Sequence, residues 1–251
     1  MKSVLLCLAN LIARIWRLLP DRLRTGLMTG LFVLDSRAPE PAHGLRRLLA
    51  LKDRLEWVIN ERSIAYGKGE HPKHRLTRYH RFFIERIEDG RRVLDVGCGC
   101  GAVARSIARE RPRSTVLGID LNEPRLALAR AADNPPNLSF VKGDATQEVP
   151  MGGWDVVVLS NVLEHIADRT GFLKDLLRAS QATRCLIRVP LFERDWQMPL
   201  RRDLGINYFS DDDHKIEHSL EEFHTELAKA GLHAAETFTL WGEIWADCRQ
   251  R

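Results

Sequence analysis

The chain has 251 residues, of which 44% are hydrophobic and 29% charged. That is enough apolar material for one sizeable core, and it excludes a disordered or fibrous protein. The formal net charge is +4, but residues 1–50 hold eight basic and three acidic residues, so the remaining body is near neutral and no nucleic-acid partner is expected.

Cys7, Cys98, Cys100, Cys185 and Cys248 are odd in number and show no paired spacing. Free thiols in a reducing compartment follow, which places the chain in the cytoplasm. Residues 3–13 form an uncharged run followed by Arg14, Trp16 and Arg17, and Pro20 stops any helix there. Eleven residues cannot span a bilayer, which takes about 20. The stretch Thr25 to Leu34 is equally short and contains two glycines. No small-residue cleavage site follows the apolar run, so no secretory signal is expected. Two uses of residues 1–35 stay open: an interfacial amphipathic helix on the inner membrane surface, or a helix packed on the rest of the chain.

Ala38-Pro39-Glu40-Pro41 separates this arm (1–37) from a helical region (38–90) expected to serve as a lid or cap on the domain that follows, 91–251. Leu48, Leu51, Leu55, Val58 and Ile59 recur at helical spacing between Leu45 and Glu61. Pro72 opens a second helix through Arg75, Tyr79, Phe82, Phe83 and Ile87, closed by Gly90. His71, His74, Arg75 and Tyr79 on it form a polar cluster suited to an anionic acceptor group, or a solvated basic face.

From residue 91 short apolar runs alternate with helical stretches, the pattern of βαβ units and a parallel sheet. The runs are Arg92–Val96, Thr115–Ile119, Leu138–Val141, Trp154–Leu159 and Arg184–Val189, with helices near 102–110, 123–132 and 168–180. A polar excursion, 190–218, follows the fifth run, where Arg194, Trp196, His214 and Glu217 are acceptor-side candidates. Ser219-Leu220-Glu221-Glu222 reads as a capping box opening a helix that Gly231 closes, and residues 233–247 as a final hairpin.

The chemistry lies in Asp95-Val96-Gly97-Cys98-Gly99-Cys100-Gly101, a glycine-rich turn between first strand and first helix. There the backbone can approach a ligand without Cβ atoms intervening. Alone, the loop fits either NAD or S-adenosylmethionine (SAM). Asp95, inside the strand, suits the cationic amino group of a methionine moiety. Asp120, ending the second strand, suits ribose hydroxyls in either cofactor, and Asp144 in Gly143-Asp144-Ala145 suits the adenine amine. Together they favour SAM.

With these motifs, residues 91–247 resemble the class I SAM-dependent methyltransferases, in the group similar to ubiquinone-biosynthesis O-methyltransferases. The resemblance implies an α/β Rossmann-like doubly wound, mostly parallel sheet of seven strands behind an N-terminal helical extension. The expected cofactor-binding set is Asp95, Gly97, Cys98, Gly99, Gly101, Asp120, Leu121, Asp144, Ala145, Ser160 and Asn161. Asn161-Val162-Leu163-Glu164-His165 follows the fourth strand, and His165 is the candidate general base. Some members bind a divalent metal here through Glu-x-x-Glu-His; this chain has Asn161 at the first Glu position, and no metal is expected. The expected reaction is O-methylation of a small-molecule, glycan or lipid-linked acceptor. The rival classes are an NAD-dependent Rossmann enzyme and a non-catalytic scaffold.

Overall fold

The computed structural model describes residues 12–68, 71–150 and 152–250, the side chain of His74 aside. The chain divides into two compact units, Met1–Pro72 and Lys73–Arg251.

In the first unit, α1 (Asp21–Ser36) and α2 (Pro41–Tyr66) are joined by residues 37–40. The stretch Thr25 to Leu34, with its two glycines, is the body of α1, although glycine is a weak helix former. Pro41 sits in the first turn of α2, where its missing N–H costs nothing, so the helix starts before Leu45 and runs past Glu61. At the corner a Cβ on Gly44 would fall 1.9 Å from the Ser36 carbonyl oxygen, and Arg47 Nε donates to Asp35 Oδ2 at 2.7 Å. No residue of α1 is buried, and α2 buries only Gly44 and Leu49. The apolar run of residues 3–13 lies, up to residue 11, outside the described residues. Among the described residues no helix is long and apolar enough to cross a membrane.

The second unit begins with α3 (Lys73–Thr77) and α4 (His80–Arg86). The single helix expected from Pro72 to Gly90 is broken where Arg78 takes a left-handed conformation, φ 48°. Then come β1 (Arg92–Val96), α5 (Ala102–Glu110), β2 (Thr115–Asp120), α6 (Glu123–Ala131), β3 (Leu138–Lys142), β4 (Val156–Ser160), α7 (Arg169–Ser180) and β5 (Arg184–Pro190). The excursion contains a 3₁₀ turn, Phe192–Arg194, and α8 (Gln197–Asp203), before α9 (Leu220–Lys229), β6 (Leu232–Leu240) and β7 (Glu243–Gln250). Trp154 stays out of β4; it is buried, and its Nε1 donates to the Pro150 carbonyl at 2.8 Å.

The seven strands pair in the order β3-β2-β1-β4-β5-β7-β6, with β7 antiparallel to both neighbours. The capping box at Ser219 and Glu222 is present, and Trp241-Gly242, both left-handed, closes the β6–β7 hairpin. Alternate residues of the buried strands feed two cores. Leu94, Val96, Val157, Leu159 and Ile187 face α7 and α9, and Val93, Val156, Val158, Leu186 and Trp245 face α4 and α5. Strand order reverses between β1 and β4, so the carboxyl ends of these strands form the crevice where such sheets bind ligands.

Candidate functional site

The loop after β1 turns on three left-handed glycines, Gly97, Gly99 and Gly101, with φ of 67°, 54° and 74°. Space as well as φ demands glycine at two of them. A Cβ on Gly97 would lie 2.7 Å from Val162 Cγ2, and one on Gly101 2.4 Å from Phe140 Cζ. Around Gly99 nothing lies within 4 Å of that position, so its face is open. Cys98 packs its sulfur against Gly118, and burial pushes its thiol pKa well up, which makes it a packing residue and no nucleophile. Cys100 is exposed.

Asp95 is 2% exposed, and its Oδ2 has no hydrogen-bond partner among the described residues. Burial pushes its pKa up to about 7, with Asp120 adding to the rise and the backbone N–H of Ala104 opposing it. A buried carboxyl oxygen with nothing to bond is what a cationic ammonium would satisfy. Asp120 braces the loop: Oδ2 accepts from the Gly99 N–H at 2.7 Å and Oδ1 from the Asn122 N–H at 2.8 Å. Each oxygen keeps a second lone pair for a ribose hydroxyl. Leu121 beside it is 61% exposed, an apolar surface left for a flat ligand. Asp144 Oδ1 accepts from the N–H and hydroxyl of Thr146, at 2.9 and 2.7 Å, which leaves Oδ2; Ala145 packs on the core.

Ser160 ends β4, and its Oγ lies 3.4 Å from Arg188 Nη1. Asn161, left-handed at φ 58°, has a buried Oδ1 with no partner among the described residues. The chain then makes a 3₁₀ turn, Leu163–His165. Glu164 is fully buried; neither carboxylate oxygen has a partner among the described residues, and burial pushes its pKa up to about 8. His165 is one third exposed. Burial pulls its pKa below the ordinary imidazole value; His214 adds to that fall, and Asp213 and Asp211 oppose it. Its Nδ1 is 3.1 Å from Asp213 Oδ1, at ion-pair distance but out of hydrogen-bond alignment.

The excursion reaches this turn through a backbone bond from Lys215 N–H to the Glu164 carbonyl, 2.7 Å. That bond delivers His214, 8% exposed, whose ring meets His165 edge-on at 4.6 Å. His214 Nδ1 lies 3.0 Å from Glu217 Oε1. Glu217 is buried and also binds Arg194, whose Nη2 donates to the Tyr208 carbonyl at 2.8 Å. Arg194, His214 and Glu217 therefore form an internal brace, while Trp196 is 72% exposed. The ligand atoms of Glu164, His165 and His214 all lie within 4.8 Å of one another.

The residues of the expected cluster at 71–79 fall in both units. His71 pairs through Nε2 with Asn60 Oδ1 at 3.2 Å within the first unit. His74 and Arg75 lie on α3, Arg75 exposed. Tyr79 belongs to the site's surroundings: the Arg188 guanidinium stacks on its ring at 4.3 Å. The sequence reading missed Arg188, clamped by Glu243 with Nη2 donating to Oε1 at 2.5 Å. An arginine inside an otherwise apolar strand, Arg184–Pro190, was the available signal for it.

The fold is that of the class I SAM-dependent methyltransferases. The family model described as a methyltransferase domain matches residues 69–237, and the chain belongs to that family. It is similar to the ubiquinone biosynthesis O-methyltransferase of Acinetobacter baumannii (strain ACICU), 36% identical over 90 residues, which cover 34% of this chain and 37% of that one. It is also similar to the ribosomal protein L11 methyltransferase of Thermotoga maritima, 32% identical over 142 residues, 55% of this chain and 51% of that one. These matches thus span about half or less of the curated relatives' length. Among solved structures, the magnesium protoporphyrin IX methyltransferase of Synechocystis PCC 6803 with bound SAH shares the fold. Its TM-score is 0.55 at 17% identity, covering 71% of this chain and 83% of that one.

Proposed function

We propose that the chain transfers the methyl group of SAM to a hydroxyl of a small-molecule, glycan or lipid-linked acceptor. The acceptor oxygen attacks the methyl carbon in line, the carbon–sulfur bond breaks with its electron pair going to sulfur, and the hydroxyl proton passes to His165. S-adenosylhomocysteine (SAH) and the methyl ether leave. Positioning supplies most of the rate and the base the rest. The observation that carries this reading is His165 itself: a partly exposed imidazole on the turn leaving β4, its pKa drawn below the ordinary imidazole value by burial. Asp95, Asp120 and Asp144 supply acceptors for the ammonium, ribose and adenine of the donor. The reading is tested by His165→Gln, assayed over a panel of hydroxylated acceptors with radiolabelled SAM. The variant is expected to lose roughly 10²–10⁴-fold in kcat while binding SAH as before; full activity would remove His165 from the chemistry.

A second reading is favoured by Glu164, whose carboxylate is buried beside His165 and His214 without a hydrogen-bond partner among the described residues. One carboxylate and two imidazoles fit a divalent transition metal, and the Glu217 contact at His214 Nδ1 would orient that ring's Nε2. A cation there would polarise the acceptor hydroxyl. The Asn161 position, on which the expectation of no metal rested, is not part of this cluster. Zn²⁺ or Mn²⁺ should then raise Tm for the native chain and not for Glu164→Gln; no metal-dependent shift would retire this reading.

The exposed apolar residues of α1, among them Leu27, Leu31 and Leu34, beside Arg22, support peripheral contact with an anionic membrane. Co-sedimentation with vesicles containing phosphatidylglycerol, lost on deleting residues 1–35, tests it.

A further inference from the structure

The carboxyl end of the sheet carries an exposed apolar rim that neither the glycine loop nor the His165 turn uses. Pro190 ends β5 and pairs with Glu243, which begins β7, so the Trp241-Gly242 turn lies beyond the carboxyl end of β5. That is the end at which β4 delivers Ser160. The 3₁₀ turn after β5 packs on the hairpin tip: Leu191 N–H donates to the Gly242 carbonyl at 2.9 Å, and a Cβ on Gly242 would lie 3.1 Å from Arg194 Cβ. Trp196 follows two residues on. At the same tip Leu240 lines an open cavity together with Thr77, which ends α3, and Arg78. Leu76, Trp196, Leu240 and Trp241 are each between 47% and 72% exposed.

These four side chains stand on three separate elements: α3, the hairpin tip and the residue before α8. Apolar tips on separate elements match a single rigid partner poorly, whereas a fluid bilayer accommodates each one independently. Tryptophan suits its interface because the ring body is apolar and the N–H stays wet. The charge agrees. Residues 71–81 hold Lys73, Arg75, Arg78 and Arg81 and no carboxylate. Arg81 pairs with Glu85 at 2.6 Å, while Arg75 and Arg78 are exposed and form no ion pair with a described residue. Glu193 and Asp195 precede Trp196, but these cations outnumber them.

We propose that this rim docks the second unit on the surface of an anionic phospholipid bilayer. Leu76, Trp196, Leu240 and Trp241 enter the boundary between headgroups and acyl chains, and Arg75 and Arg78 meet lipid phosphates. The carboxyl ends of β4 and β5 then face the membrane, and the acceptor is met at the bilayer surface. That consequence rests on the methyltransferase reading; the docking does not. One contact of this size is marginal and reversible, so it adds to the contact proposed for α1 and does not replace it.

The test is co-sedimentation of the full chain with vesicles of equal parts phosphatidylglycerol and phosphatidylcholine, and with vesicles of phosphatidylcholine alone. The variants are Trp196→Ala/Trp241→Ala and Arg75→Gln/Arg78→Gln, with Leu128→Ala, an exposed apolar residue of α6, as control. Tm, SAH affinity and oligomeric mass are measured on the same samples. Each double variant is expected to lower partition onto the phosphatidylglycerol vesicles about tenfold or more, with Tm, SAH affinity and the control unchanged, and the arginine pair should have no effect on phosphatidylcholine alone. Partition within about twofold of the native chain in either double variant, or an equal loss in Leu128→Ala, overturns the docking. So does a tryptophan variant that changes the oligomeric mass and not the partition, which would give this face to a second copy of the chain. A chain that docks through these residues and does not bind SAH would overturn the methyltransferase reading alone.

Discussion

The two ends of the site are built differently. At the proposed donor end, the geometry is held by backbone: three left-handed glycines, and a carboxylate that braces their loop through the Gly99 N–H. At the acceptor end it is held by side chains from distant segments. Arg194, His214 and Glu217 lock the excursion, Lys215 anchors it to Glu164, and Arg188 joins Tyr79, Ser160 and Glu243. A backbone-defined site tolerates almost no change at its glycines but many around them, whereas a side-chain network can be disconnected one partner at a time. Lesions at the two ends should therefore separate cofactor affinity from local stability.

The largest effect is expected at the loop. Gly101→Val meets both the Phe140 ring and a φ of 74°, and it should abolish SAH binding in calorimetry; retention of affinity within tenfold would show that the loop does not define the donor site. Next comes the brace. Arg194→Ala takes the arginine from the buried Glu217, which keeps only its Ser210 and His214 contacts, at a cost of up to roughly 3–5 kcal/mol in thermal unfolding, with SAH affinity within about threefold of the native chain if the two ends are independent. A parallel loss of SAH affinity would join them into one unit.

A smaller effect is expected from pH. Burial pushes the pKa of the unliganded Asp95 up to about 7, and the proposed contact with the donor's ammonium requires its carboxylate form. Below pH 7 binding must expel a proton, so SAH affinity should fall by up to about tenfold per pH unit as pH drops from 7 to 5, provided the chain stays folded. The sign is opposite for folding. A raised carboxyl pKa makes the folded chain hold the proton longer than the unfolded one, so Asp95 favours folding more strongly as pH falls from about 7 towards its unfolded value. Asp95→Asn should flatten the affinity profile, and an unchanged slope would remove Asp95 from the ammonium contact.

The same difference explains what could be read from the sequence. Asp95, the glycines and Asp120 are spaced by local rules, the length of a strand and the demands of a turn, and so are the five parallel strands and the capping box at Ser219. The break at Arg78 was not legible, because no helix-breaking residue stands there; Phe82 and Phe83 pack into the core under β7 while the chain reverses ahead of them. Nor was the closeness of His214 to His165, which depends on one backbone hydrogen bond between residues about fifty positions apart. Glu164 reads as an ordinary turn acid in sequence, and only its burial marks it out.

The central claim is that the β1 loop and Asp120 form a site for an adenosyl donor. Calorimetry of the full chain with SAM, SAH and NAD, repeated on Asp120→Ala, tests it directly. Binding of the two adenosyl ligands but not of NAD, weakened about a hundredfold or more in the variant, is the expected result. NAD binding, or SAH binding indifferent to Asp120→Ala, would contradict it.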